Sequence, residues 1–180
     1  MTNAETYTPG PANAQVRKDA GDKWTLILVR ELRHAPEKVW QALIDPAQLR
    51  EWAPFEVDKS LDTVGTTVKL TWVGAPMPFD VTVTQVDPPN LLEFGDIRWE
   101  LAAQGGGTRL TLLSAIDRRY ISMGAAGWHI SLDVLDRMMG GNPIGRIAGG
   151  DAMKFAGWQR LNGEYAELFG VKAPSWPAKG

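Results

Sequence analysis

The chain contains no cysteine, which excludes disulfides, thiolate nucleophiles and cysteine-ligated metals. Its only histidines are His34 and His129, too few for a histidine-rich metal centre. A strong excess of charge of either sign is also missing. A formal net charge of -2 argues against a nucleic-acid binder that works by neutralising phosphates, and against general attraction to an anionic membrane. No run approaches the roughly 18 consecutive apolar residues that a membrane-spanning helix needs. Met1 to Ala20 is polar, without the apolar core of a secretory leader, so a cytoplasmic protein is expected. No nucleophile–base pair, metal constellation or cofactor fingerprint stands out, and no cofactor is expected.

What is present is ordinary for a folded domain, with one exception. Hydrophobic residues make up 44% and charged residues 22% of 180 residues, enough for one core in one domain. The exception is eight tryptophans. Residues 1–22 are rich in Ala, Asn, Thr and Pro and read as a mobile tail, residues 23–170 as the domain, and residues 171–180, with Pro174 and Pro177, as a second tail in which Trp176 is a lone aromatic.

Within the domain, Trp24 to Leu32 is rich in β-formers and predicts a strand. Pro36 opens a helix with Val39, Trp40, Leu43 and Ile44 on one face. Asp45-Pro46 breaks it, and a second short helix runs through Leu49 to Trp52. Six strand candidates follow: Phe55–Lys59, Thr66–Val73, Phe79–Val86, Leu91–Phe94, Arg98–Ala103 and Thr108–Ile116. Turn formers separate them, so the sheet should be an antiparallel meander. From Ser122 the period changes, and Trp128, Leu132, Leu135 and Met139 mark a long helix that Gly140-Gly141 stops. Asn142 to Gly150 reads as a loop. Asp151 is expected to cap a last helix carrying Trp158, Leu161, Tyr165 and Phe169 and closed by Gly170. Strands and helices segregated in this way mean an α+β fold.

Four stretches resemble the SRPBCC superfamily (START-like, helix-grip) and, within it, homologues of the activator of the heat-shock-protein-90 ATPase. They are Ala35 to Leu49 (APEKVWQALIDPAQL) running on to Trp52, Val86 to Phe94 (VDPPNLLEF), Gly107 to Leu112 (GTRLTL), and Gly127-Trp128-His129 followed by Leu132 and Leu135. The resemblance spans about Trp24 to Phe169; the helix after Met139 is an extension found in some members. It implies a helix-grip fold, in which a curved antiparallel sheet of six to seven strands wraps the long C-terminal helix and the two short helices follow the first strand.

A sheet curled around one helix has more concave area than that helix fills, so an apolar cavity is expected. Trp72, Phe79, Phe94, Trp99, Trp128 and Leu132 are the expected lining, with Trp52 near an opening. The competing reading is that these side chains fill the core. The loop Gly74-Ala75-Pro76-Met77-Pro78 either forms an apolar rim or tucks Met77 under the sheet. His129, Asp133 and Asp136 share a helix face opposite the Trp128 stripe; a base is conceivable there, but an exposed His–Asp pair is the plainer reading. Arg98 could reach a ligand carboxylate only if Trp99 points outward.

A binding function is more economical than catalysis. The expectation is a protein that carries, sequesters or senses a small hydrophobic or amphipathic ligand, lipid-like molecules included. Two alternatives come with the resemblance: an interaction module acting on a chaperone ATPase or another protein, and a cyclase- or hydrolase-like enzyme using the same cavity.

Overall fold

The computed structural model describes residues 6–174; Trp176 lies outside them. A short strand β1 (Gln15–Arg17) leads into β2 (Lys23–Leu32). Helices α1 (Pro36–Ile44) and α2 (Pro46–Trp52) follow, then strands β3 (Phe55–Val57), β4 (Thr67–Trp72), β5 (Phe79–Asp87), β6 (Leu91–Phe94), β7 (Ile97–Gln104) and β8 (Gly107–Asp117). The C-terminal part is helical: α3 (Ile121–Met139), α4 (Gly149–Lys154) and α5 (Ala156–Phe169). The architecture is α+β, as the sequence pattern predicts, with the helix-grip arrangement that the resemblance implies.

One eight-stranded sheet runs β1-β2-β8-β7-β6-β5-β4-β3, every neighbouring pair antiparallel. Turn chemistry explains the meander, and the β2–β8 pairing, from Lys23 opposite Asp117 to Leu32 opposite Thr108, sets the last strand of the meander against the long strand that precedes the helices. At Gly107 this pairing allows no side chain, because a Cβ there would sit 2.1 Å from the Leu32 carbonyl oxygen. A register shift in β5 between Val83 and Gln85 is the kind of irregularity that bends a strand and helps the sheet to curl. The helix break is local: the Asp45 carboxylate accepts the Ala47 N–H at 2.9 Å, and Pro46 occupies the first turn of α2.

Side-chain alternation then sorts the faces. On β7, Ile97, Trp99 and Leu101 are buried, while Arg98 turns outward to Glu93 (3.0 Å) and Glu100 (2.9 Å). That orientation removes Arg98 as a ligand for a buried carboxylate. Helix α3 is buried on nearly every side, with Trp128, Leu132 and Leu135 and also His129, Ser122 and Ser131 in the interior.

Three expectations need correction. The sheet has eight strands, because part of the supposed N-terminal tail is ordered as β1, paired Gln15 to Ile27. Ahead of β1 the chain forms a strap across α3 and α5. Tyr7 is buried, Asn13 N–H donates to the Tyr165 hydroxyl at 3.0 Å, and Arg160 donates to the carbonyls of Pro9 and Gly10 at 2.6 and 2.8 Å. Composition suggested mobility, but these backbone groups find partners on helices far away in sequence. Finally, Asp151 does not cap the last helix: it lies within α4, and α5 starts after a break at Phe155.

Candidate functional site

Gly124, Gly127, Trp128 and Ser131 recur at three- and four-residue spacing and share one face of α3. Small residues leave the helix face low. A Cβ added at Gly127 would meet no atom within 4 Å. Between this face and the sheet lies a cavity of about 720 Å³, within the range of small-molecule sites, about 300–1,000 Å³. Leu70 and Trp72 of β4, Val81 of β5 and Phe94 of β6 form the sheet wall. The chain after α3 closes part of it, with Ile147, Gly149, Met153 and Trp158 as lining. This cap is held against the sheet rim. Arg146 bonds Glu56 at 3.0 Å, and Gly149 comes so close to β4 that a Cβ would sit 2.8 Å from the Val73 carbonyl.

Of the aromatics expected to line the cavity, Trp72, Phe79, Phe94 and Trp128 do so. Trp52, Trp99 and Leu132 are instead buried away from it. The Trp52 indole N–H donates to the Ala42 carbonyl at 3.0 Å, and its ring meets Trp99 edge-on at 6.1 Å. Trp99 in turn backs Trp128 at 5.6 Å. Strand alternation for Trp99 and helix periodicity for Trp52 and Leu132 admit them to the interior without deciding which part of it. Phe55 has the same supporting role, touching Trp72, Phe94 and Trp128 edge-on at 5.5, 5.9 and 6.1 Å. Phe79 is half-exposed, so it stands at the mouth, and Met77 just before it is 71% exposed rather than tucked under the sheet. The cap, Gly127 and the lining hydroxyls of Ser114 and Ser131 were not legible as site residues. The small-residue face of α3 is a signal for Gly127 and Ser131, and the sequence carries none for Ser114 or the cap.

The charged side chains that line the cavity are Asp80, Asp96 and Asp117, each paired outward: with Lys69 at 3.1 Å, Lys23 at 3.0 Å and Arg119 at 2.7 Å. Hydrogen bonds from the Arg119 side chain and backbone hold Asp117 down at a pKa of about 2, so it stays ionised and is not tuned for proton transfer. No Lys, Arg or His is part of the lining.

Against expectation, His129 itself does not meet solvent, although Asp136 further along the same face does. Helix α5 and the N-terminal strap cover the imidazole, and His129 is 4% exposed. Its Nδ1 lies 2.7 Å from the Tyr165 hydroxyl, and Nε2 lies 3.7 Å from Asp133. Burial lowers the imidazole pKa to about 4, against the opposing pull of Asp133. The Tyr165 oxygen already accepts from Asn13, which suits a neutral ring whose Nδ1 accepts the phenol proton. Tyr7 donates a short hydrogen bond to Asp133, and the Arg137 guanidinium lies over the Tyr7 ring at 4.8 Å. This network fastens the strap to α3 and α5, on a face of α3 outside the cavity lining. His34 is likewise engaged, 3.4 Å from Asp136.

The family described as Activator of Hsp90 ATPase homolog 1-like protein matches residues 33–140. The chain belongs to this family. The match starts just before α1 and ends with α3, so it takes in the sheet from β3 to β8, whereas the strap, β1, β2, α4 and α5 lie outside it. Solved structures agree on the fold. CalU16 from Micromonospora echinospora is 19% identical with a TM-score of 0.63, covering 88% of this chain and 95% of its own. EF2215 from Enterococcus faecalis is 15% identical with a TM-score of 0.65, covering 88% and 92%. MLL2253 from Mesorhizobium loti is 21% identical with a TM-score of 0.57, covering 64% and 96%. No curated protein sequence matches the chain. No helix among the described residues is long and apolar enough to cross a membrane.

Proposed function

We propose that this protein binds a small apolar or amphipathic molecule in the cavity between α3 and the sheet, as a carrier, a sequestering protein or a sensor. One observation carries the reading: about 720 Å³ stays unfilled inside an aromatic wall, although a leucine in place of Gly127 would occupy part of it. Transfer of the ligand's apolar surface from water to Trp72, Phe94 and Trp128 supplies the affinity, and rigid rings lose little rotamer entropy on binding.

Two observations weigh against the enzyme reading. The imidazole best placed to act as a base, His129, is engaged by Tyr165 outside the cavity lining, and Asp117 is held ionised by Arg119. The chaperone-ATPase reading rests on the family's description alone.

Native mass spectrometry of the purified protein, followed by organic extraction, tests the proposal. A stoichiometric apolar adduct is expected in the wild type and absent in Gly127→Leu. If the wild type is empty and added pyrene leaves the emission of its tryptophans unchanged, the binding reading fails.

A further inference from the structure

Ser131 is 1% exposed, and its Oγ is buried with no hydrogen-bond partner. Such hydroxyls are uncommon in folded proteins, and a helical serine ordinarily bonds back to the carbonyl one turn earlier. Ser131 does not. It shares a face of α3 with Gly127 and Trp128 and belongs to the cavity lining. The other buried side-chain atoms without partners among the described residues, on Arg30 and Arg146, belong to residues outside that lining. Among the described residues, the one unmet buried side-chain polar group of the cavity is therefore neutral and able both to donate and to accept. The charges around it point the same way, since every ionisable lining side chain other than Tyr120 is an aspartate and none is a cation.

Building on the binding reading above, we infer that the cavity selects an uncharged molecule with one hydroxyl or carbonyl group, which Ser131 engages, and that it discriminates against carboxylates. A ligand carboxylate entering this lining would meet no cation and would lose its hydration without compensation. A ligand hydroxyl or carbonyl supplies the partner that Ser131 Oγ lacks, reached by rotation of the serine side chain toward the cavity, because in the free protein that oxygen is almost fully covered. The aromatic wall takes the rest of the molecule through ring faces and edges.

Three probes with one ring system separate these terms: pyrene, 1-hydroxypyrene and pyrene-1-carboxylate, titrated into the full-length protein and followed by quenching of tryptophan emission. The expected order of affinity is hydroxypyrene, then pyrene, then the carboxylate, with hydroxypyrene ahead of pyrene by about three- to tenfold, the range of one net hydrogen bond. Ser131→Ala should remove that advantage while still binding pyrene, and Ser114→Ala should keep it. The inference is overturned if the carboxylate binds tightest, if the hydroxyl advantage survives in Ser131→Ala, or if Ser114→Ala alone abolishes it. In each of those cases the cavity still binds pyrene and the broader reading stands. If no probe binds the wild type, both fall together.

Discussion

Filling the cavity should make the protein more stable and less able to bind, a combination that few core substitutions produce. Gly127→Leu is the perturbation. Position 127 lies in the middle of α3, and a Cβ there meets nothing within 4 Å. Replacing glycine inside a helix relieves a propensity penalty of about 0.8–1 kcal/mol. The new side chain would rest against an apolar wall, and full burial of a leucine contributes about 1.5–3 kcal/mol. Part of that is lost because the cavity opens to solvent, so a net gain of about 1–3 kcal/mol is expected. Gly127→Ala isolates the helix term, with a gain of at most about 1 kcal/mol. Gly124→Ala serves as the contrast, since its Cβ would lie 2.6 Å from Cδ1 of Ile116 and force that side chain to move. Stability would be measured by urea unfolding of protein refolded from denaturant, so that retained ligand does not contribute, with the midpoint rising at constant m-value. Pyrene affinity would be measured in parallel and should fall at least tenfold in Gly127→Leu. A destabilised Gly127→Leu, or one that binds pyrene like the wild type, would refute the view that this face of α3 borders a usable cavity.

Three further outcomes are expected. Because the folded pKa of His129, about 4, lies below its ordinary value of 6.5, protons bind the unfolded chain more tightly, and stability falls as pH drops from 6.5 toward 4. From pH 7 to pH 5 the loss from this group should be about 2 kcal/mol, and an equal loss in His129→Gln would show that other groups are responsible. Tyr7→Phe removes the hydrogen bond to Asp133; it should cost about 1.5–3 kcal/mol, the range for hydrogen bonds to charged groups, and unchanged urea unfolding would mean that the strap adds little. Glu56→Gln weakens the contact that holds Arg146 and the cap. It should speed pyrene release several-fold in stopped-flow measurements while changing stability by less than about 1 kcal/mol, and an unaltered release rate would mean that the ligand does not pass under the cap.

How far the sequence speaks for itself depends on the range of the physics involved. The break at Asp45-Pro46, the turns between strands, the alternation that turns Trp99 in and Arg98 out, and the start of α3 near Ser122 rest on interactions within a few residues, and each was legible. The aromatic set was legible as interior. Its division into the lining residues Trp72, Phe94 and Trp128 and the supporting residues Trp52 and Trp99 was not, because strand alternation and helix periodicity mark a side chain as inward-facing without saying which distant surface it meets. His129 is the clearest failure. The apolar stripe of α3 predicts one buried face and one wet one, but α5 and the strap cover the wet one around His129, and nothing within α3 reports their arrival.

The sequence by itself therefore determined the α+β fold class and a largely aromatic interior, which follow from periodicity, turn residues and composition along the chain, while the family came from the resemblance of four motifs. The tertiary structure alone decided that residues 6–17 are ordered, that Gly127 faces empty space, that Ser131 lacks a partner and that the chain after α3 caps the cavity. Those properties depend on which distant surfaces meet and how completely they fill the gap between them. Packing of that kind is a property of pairs of segments, and no single segment carries a record of it.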